Sequence, residues 1–191
     1  MTEIELKFYP VKPDEIRARL RDAGFELIVP EFLMTRVTFD IPARAGAWGR
    51  VRREHDKITM SIKCFGENCI TGMQESELVI ADFDAAVEFM RAAGMEQKGF
   101  QENYREIWTR PGTEATIDTW PGLEPLIEIE ATGTDESAAI AAVHAAARDL
   151  GFNPDDAMFG SVDLVYEKVL GIPAAEICAL PQATFANPPT K

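Results

Sequence analysis

Glu3-Ile4-Glu5-Leu6-Lys7 is the stretch whose reading decides the fold. Successive side chains of an extended strand point to opposite faces, so Glu3, Glu5 and Lys7 share one face and Ile4, Leu6 and Phe8 the other. An ordinary half-buried strand with its charges in water has the same pattern. What sets this chain apart is repetition: Arg50-Val51-Arg52, Glu75-Ser76-Glu77 and Glu128-Ile129-Glu130 alternate in the same way, with acids and bases in separate segments. Charges sorted in this manner point to a site.

A chain of 191 residues, 46% of them hydrophobic, can build one substantial core, so a single domain is expected. Lys and Arg number 19 against 32 Asp and Glu, a net charge of −13, which argues against general nucleic-acid or anionic-membrane binding. Local phosphate binding would need clustered cations, or metal ions held by surplus carboxylates. Cys64, Cys69 and Cys178 have no CxxC spacing, so neither a disulfide framework nor a zinc ribbon is indicated. The first residues lack the basic region and apolar core of a signal peptide, and a reduced, cytoplasmic setting is the expectation.

Along the chain, Pro13-Asp14-Glu15 starts an amphipathic helix that Gly24 ends. Residues 25–29 and 32–40 read as two β segments punctuated by Pro30 and Pro42. Strands follow from Trp48 to Glu54, Ile58 to Lys63 and Met73 to Ile80, with a loop at 66–72. Asp82 or Asp84 caps a second helix, which runs to Ala93 and is closed by Gly94. Residues 100–109 and 114–119 form a hairpin across Pro111-Gly112; 126–131 is a further strand and 135–150 an Ala-rich helix. Residues 161–170 fit helix or strand, no internal repeat appears, and the segment from 171 to 191 reads as an irregular tail.

About eight strands and three amphipathic helices must bury one another's apolar faces. With the helices outside a curved antiparallel sheet, Ile4, Leu6, Val51, Ile127 and Ile129 are covered, and the charged positions line the opposite face. The expectation is an α+β fold, a closed antiparallel barrel of about eight strands forming a charged tunnel. Enclosed charges cannot remain isolated. Direct ion pairing satisfies them, and so does an acid–metal–phosphate–base arrangement.

These residues resemble the CYTH, or triphosphate tunnel metalloenzyme, family, which includes class IV adenylate cyclases, thiamine triphosphatases and inorganic triphosphatases. Glu3-x-Glu5-x-Lys7 is similar to the family signature, and Arg50-x-Arg52, Lys63, Glu75-x-Glu77, Arg105, Asp118 and Glu128-x-Glu130 follow in family order. The resemblance spans residues 1–170 as a tunnel domain and leaves 171–191 as a C-terminal tail. It implies Mg²⁺ or Mn²⁺ held by Glu3, Glu5, Glu75, Glu77, Asp118, Glu128 and Glu130. It implies a small-molecule triphosphate bound by Lys7, Arg50, Arg52, Lys63 and Arg105, with Glu5, Lys7, Arg52 and Lys63 in catalysis. Hydrolysis is the expected reaction, ATP cyclisation and non-catalytic binding are the alternatives, and a homodimer is left open. Two departures stand out: Arg36 occupies a place where many relatives carry Asp, and Asn103 one where a Lys is common. One tunnel cation is therefore expected to be missing.

Overall fold

The computed structural model describes residues 4–65, 73–131 and 135–190. Glu3, Cys69 and the expected loop at 66–72 lie outside them. Strand β1 (Ile4–Phe8) leads through helix α1 (Pro13–Asp22) to the long β2 (Glu26–Asp40), followed by β3 (Ala47–Arg53), β4 (Ile58–Phe65) and β5 (Met73–Ile80). Helix α2 (Phe83–Ala92) leads to a second long strand, β6 (Glu96–Arg110), then β7 (Thr113–Thr119) and β8 (Leu126–Ala131). The chain closes with α3 (Glu136–Asp149), a 3₁₀ turn at Pro154–Asp156, α4 (Val162–Leu170), α5 (Ala174–Cys178) and the two-residue β9 (Gln182–Ala183).

The helices start and stop where local chemistry directs. Pro13 opens α1 and Asp14 and Glu15 fill its first turn; the Asp82 and Asp135 side chains accept from the Ala85 and Ala138 N–H groups at the starts of α2 and α3. Helices α1 and α2 end alike: Ala23-Gly24 and Ala93-Gly94 turn the chain out, with φ of +79° and +87° at the glycines, into a strand of 15 residues. Pro30 does not divide β2, because a register shift between Val29 and Phe32 absorbs it.

The strands run in the order β1-β8-β7-β6-β2-β3-β4-β5, with β9 parallel to β6. All eight of the main path pair antiparallel and curl into a half-barrel. The expected closed barrel is not formed. Among the described residues β1 and β5 are the two ends, and no pairing joins them. Part of the outer edge of β1 is taken: the Met158 N–H donates to the Lys7 carbonyl at 2.8 Å in an antiparallel bridge. That bridge takes one of the edge positions that a closing strand would need.

Helices α1 and α3 cover the convex face over Leu6, Phe8, Trp108, Ile117, Ile127 and Ile129. Helix α2 covers Val37, Phe39 and Val51. Residues 162–170 resolve as helix, with Val165 and Tyr166 buried against Trp120, Leu123 and Leu126, and the Tyr166 hydroxyl donating to the Pro121 carbonyl at 2.6 Å. The segment after Gly171 lies along β6, where a Cβ on Gly99 would stand 2.5 Å from the Leu180 carbonyl oxygen. Only glycine allows that approach.

Candidate functional site

Directly paired residues of an antiparallel sheet share a face, which makes the site readable strand by strand. Glu5 faces Glu130, and Glu130 faces Glu114; Lys7 faces Glu128, and Glu128 faces Thr116. Arg105 faces Asp118, two positions from Asn103, which faces Met34. Arg36 faces Arg52, Thr38 faces Arg50, Trp48 faces Lys63, and Lys63 faces Glu75. All these positions share one face. Helices α1, α2 and α3 hold the other, so the charged residues line the concave side, against one end of which α4 packs at Trp120 and Leu126.

The charges form two wings. On the β1-β8-β7-β6 side, Lys7 Nζ lies 3.0 Å from Glu128 and 3.6 Å from Glu5, and it donates to the Gly160 carbonyl at 2.7 Å. Arg105 grips Asp118 with two donors, Nε at 2.7 Å, and reaches Glu128 at 3.0 Å. On the β3-β4-β5 side, Glu75 lies 3.1 Å from Arg50 and 3.0 Å from Lys63. Arg52 lies 2.6 Å from Glu54 and 3.4 Å from Glu77. Between the wings, on the two long strands, the Arg36 guanidinium donates to the Asn103 carbonyl oxygen and lies 4.6 Å from the centre of the Trp120 ring. Asn103 in turn donates to Asp118 at 3.0 Å.

Burial and neighbouring charge tune these groups. Burial alone would raise the Glu75 carboxyl, but Lys63, the Ser61 hydroxyl and Arg50 bring it down to about 2. Burial would lower the Lys7 ammonium, but Glu128 and Glu5 hold it above its usual value. Arg105 is likewise buried and still raised, chiefly by Asp118. Glu128 is lowered, Arg105 and Lys7 outweighing its burial. Burial, together with Arg52, brings Arg50 down to about 10. Arg36 is pushed well below the usual arginine value by burial, and then by Arg50, Arg105 and Arg52.

The face gathers every described residue of the expected site. Their contacts, however, make Glu5, Glu75, Glu77, Asp118 and Glu128 ion-pair partners of the cations. Among the described residues, no three His, Cys, Asp or Glu side chains are close enough together to hold a metal ion. Glu5, Glu130 and Glu114 stand directly opposite one another on three adjacent strands. Such a row repels itself and offers hard oxygen donors, so in donor type it fits Mg²⁺ or Mn²⁺. Glu114, whose carboxyl burial pushes up, was not among the expected residues, although alternation back from Asp118 through Thr116 leads to it. Arg36 was noticed only as a departure, since its face depends on the pairing of β2.

Three guanidinium Nε atoms on this face, those of Arg36, Arg50 and Arg52, are buried and have no hydrogen-bond acceptor. Residues 1–157 match the CYTH domain. The chain belongs to the CYTH domain family. Its half-barrel is similar to PH1819 from Pyrococcus horikoshii OT3, at 25% identity and a TM-score of 0.68 over 87% of this chain and 99% of that one. A Vibrio parahaemolyticus protein proposed as an adenylate cyclase superposes at 18% identity with a TM-score of 0.73, over 90% of this chain and 99% of that one. HpAC1 from Hippeastrum, proposed as an adenylyl cyclase and described with a dominant triphosphatase activity, superposes at 15% identity with a TM-score of 0.61, over 91% and 99%. No curated protein matches the chain. These likenesses show the fold alone. Among the described residues, no helix is long and apolar enough to cross a membrane.

Proposed function

We propose that this CYTH protein binds a triphosphate on its concave face and hydrolyses it in a divalent-metal-dependent reaction, the substrate being inorganic triphosphate or an organic or nucleoside triphosphate. The observation that carries the reading is the set of three buried arginine Nε donors without acceptors, on neighbouring strands of one face. Buried donors left unsatisfied cost about 1–3 kcal/mol each, and phosphate oxygens are the acceptors whose geometry suits a planar guanidinium fork.

Arg50 and Arg52 then hold phosphate oxygens through directed hydrogen bonds, and Lys63 adds a point charge. Glu75 and Glu77 hold those cations in place until phosphate competes for them. Lys7 is 2% exposed and engaged by Glu128, Glu5 and Gly160, so it serves the phosphate only by exchanging one of those acceptors. Glu5 and Glu130, with Glu114 beside them, are the residues that would hold Mg²⁺ or Mn²⁺, drawing closer together than they stand here to do so. When bound, such an ion neutralises charge developing on the transferring phosphoryl group and lowers the pKa of a coordinated water.

The test is turnover of tripolyphosphate, ATP and thiamine triphosphate with Mg²⁺ or Mn²⁺ and then with EDTA, all products being identified. Phosphate release that stops with EDTA is the expected result. Cyclic AMP with pyrophosphate would make the protein a cyclase, and tight binding without turnover would make it a binder.

A further inference from the structure

Arg36 sits at the seam of the half-barrel, on the long strand β2, where it faces Arg52 across one neighbour and Gln101 across the other. Its residue is 8% exposed. Among the described residues no carboxylate lies within ion-pairing distance of it. Its contacts are the Asn103 carbonyl oxygen, the Met34 sulfur and the Trp120 ring. The nearby acids are committed elsewhere: Asp118 to Arg105 and Asn103, Glu75 to Arg50 and Lys63, Glu77 to Arg50 and Arg52. Burying a charge whose direct contacts are neutral is costly beside Arg50, Arg105 and Arg52, and the downward shift of its pKa shows that the field of Asp118 does not offset that cost. A fold does not retain such a group for stability, because an apolar or neutral side chain would do better there.

We infer that Arg36 is a substrate-contacting residue, its Nε donating to a phosphoryl oxygen of a triphosphate that lies across the seam and joins the Arg50–Arg52 wing to the Arg105 wing. The inference rests on the triphosphate reading above and deepens it. Asn103 and Trp120 act as positioning residues: the amide oxygen fixes one Nη of the guanidinium and the indole ring lies against its face, while Nε is left buried without an acceptor. The cation expected to be missing at position 103 is thereby supplied from the adjacent strand, since the Arg36 guanidinium touches the Asn103 side chain.

The experiment measures tripolyphosphate affinity by titration calorimetry, with and without Mg²⁺, and the melting temperature of ligand-free protein. It uses wild type, Arg36→Gln and the double variant Arg36→Gln/Asn103→Lys. A charge-assisted hydrogen bond is worth about 1.5–3 kcal/mol, so Arg36→Gln should bind roughly tenfold to hundredfold more weakly. Its ligand-free melting temperature should stay level or rise, since a buried like charge has been removed. Lys at position 103 returns a cation to the same spot, and the double variant should regain most of the affinity. Unchanged affinity in Arg36→Gln, with wild type binding normally, overturns the inference and leaves the triphosphate reading intact. A lower ligand-free melting temperature with an undiminished ligand-induced rise makes Arg36 structural and also overturns it. Absence of tripolyphosphate binding to wild type overturns both.

Discussion

Replacing Arg105 by Ala should damage the fold before it damages binding, the opposite of what is expected at Arg36. The Asp118 side chain is 1% exposed and takes two hydrogen bonds from Arg105, which also reaches Glu128. Without the guanidinium, Asp118 keeps only the Asn103 amide. Removing one partner of a buried ion pair typically costs about 3–5 kcal/mol, because the other charge is left uncompensated. At roughly 2–4 °C per kcal/mol for a domain of this size, the melting temperature should fall by about 6–20 °C. Set against a total stability of about 5–15 kcal/mol, that is a large fraction. Urea unfolding of wild type, Arg105→Ala, Asp118→Ala and the double variant gives the coupling directly. The double variant should be much less destabilised than the sum of the singles. Additive singles, or a loss below about 1 kcal/mol for Arg105→Ala, would refute the pairing as an energetic unit.

Two further outcomes follow from the same geometry. The Glu75 carboxyl lies at about 2 when folded, below its unfolded value, so its contribution is present above pH 5 and is lost as pH falls towards 2. With the side chain 15% exposed and partly screened, about 1–2 kcal/mol is at stake, and thermal melts of wild type and Glu75→Gln should differ most near pH 6 and converge near pH 2; parallel curves would contradict the pairing. Gly99→Ala places a methyl group against the Leu180 carbonyl, which should cost about 1–3 kcal/mol and speed proteolysis within 171–190, while an unaltered cleavage rate would mean that this segment is not held at Gly99.

Much of this could be read from local sequence because the signals are local. Asp82 caps the helix it precedes, and alternation within a strand puts Glu5 with Lys7, Arg50 with Arg52 and Glu128 with Glu130 on one face without any tertiary information. The open sheet is not legible near β1 because the contact on its edge is remote: Met158 bridges to Lys7, and nothing near Lys7 in sequence announces it. The repeat of helix, Ala-Gly and a 15-residue strand escaped notice because its two copies, beginning at Pro13 and Phe83, share little beyond the Ala-Gly turn and element lengths. Residues 162–170 carry β-branched side chains at helical spacing, and burial of Val165 and Tyr166 against Trp120 decides between the two. Arg36 needed the register between β2 and its neighbours, which pairing alone supplies, whereas Glu114 stands two steps of alternation from Asp118.

The central claim is that the concave face binds a triphosphate through arginine donors that otherwise have no acceptor. Nitrogen–proton correlation spectra of the arginine Nε–H groups test it most directly, with each signal assigned by Arg→Lys substitution and tripolyphosphate then titrated in with Mg²⁺. The Nε–H signals of Arg36, Arg50 and Arg52 should shift together in one saturating transition, while that of the surface residue Arg91, already bonded to Gln97, stays in place. Saturable binding that leaves all three signals unmoved would contradict the account.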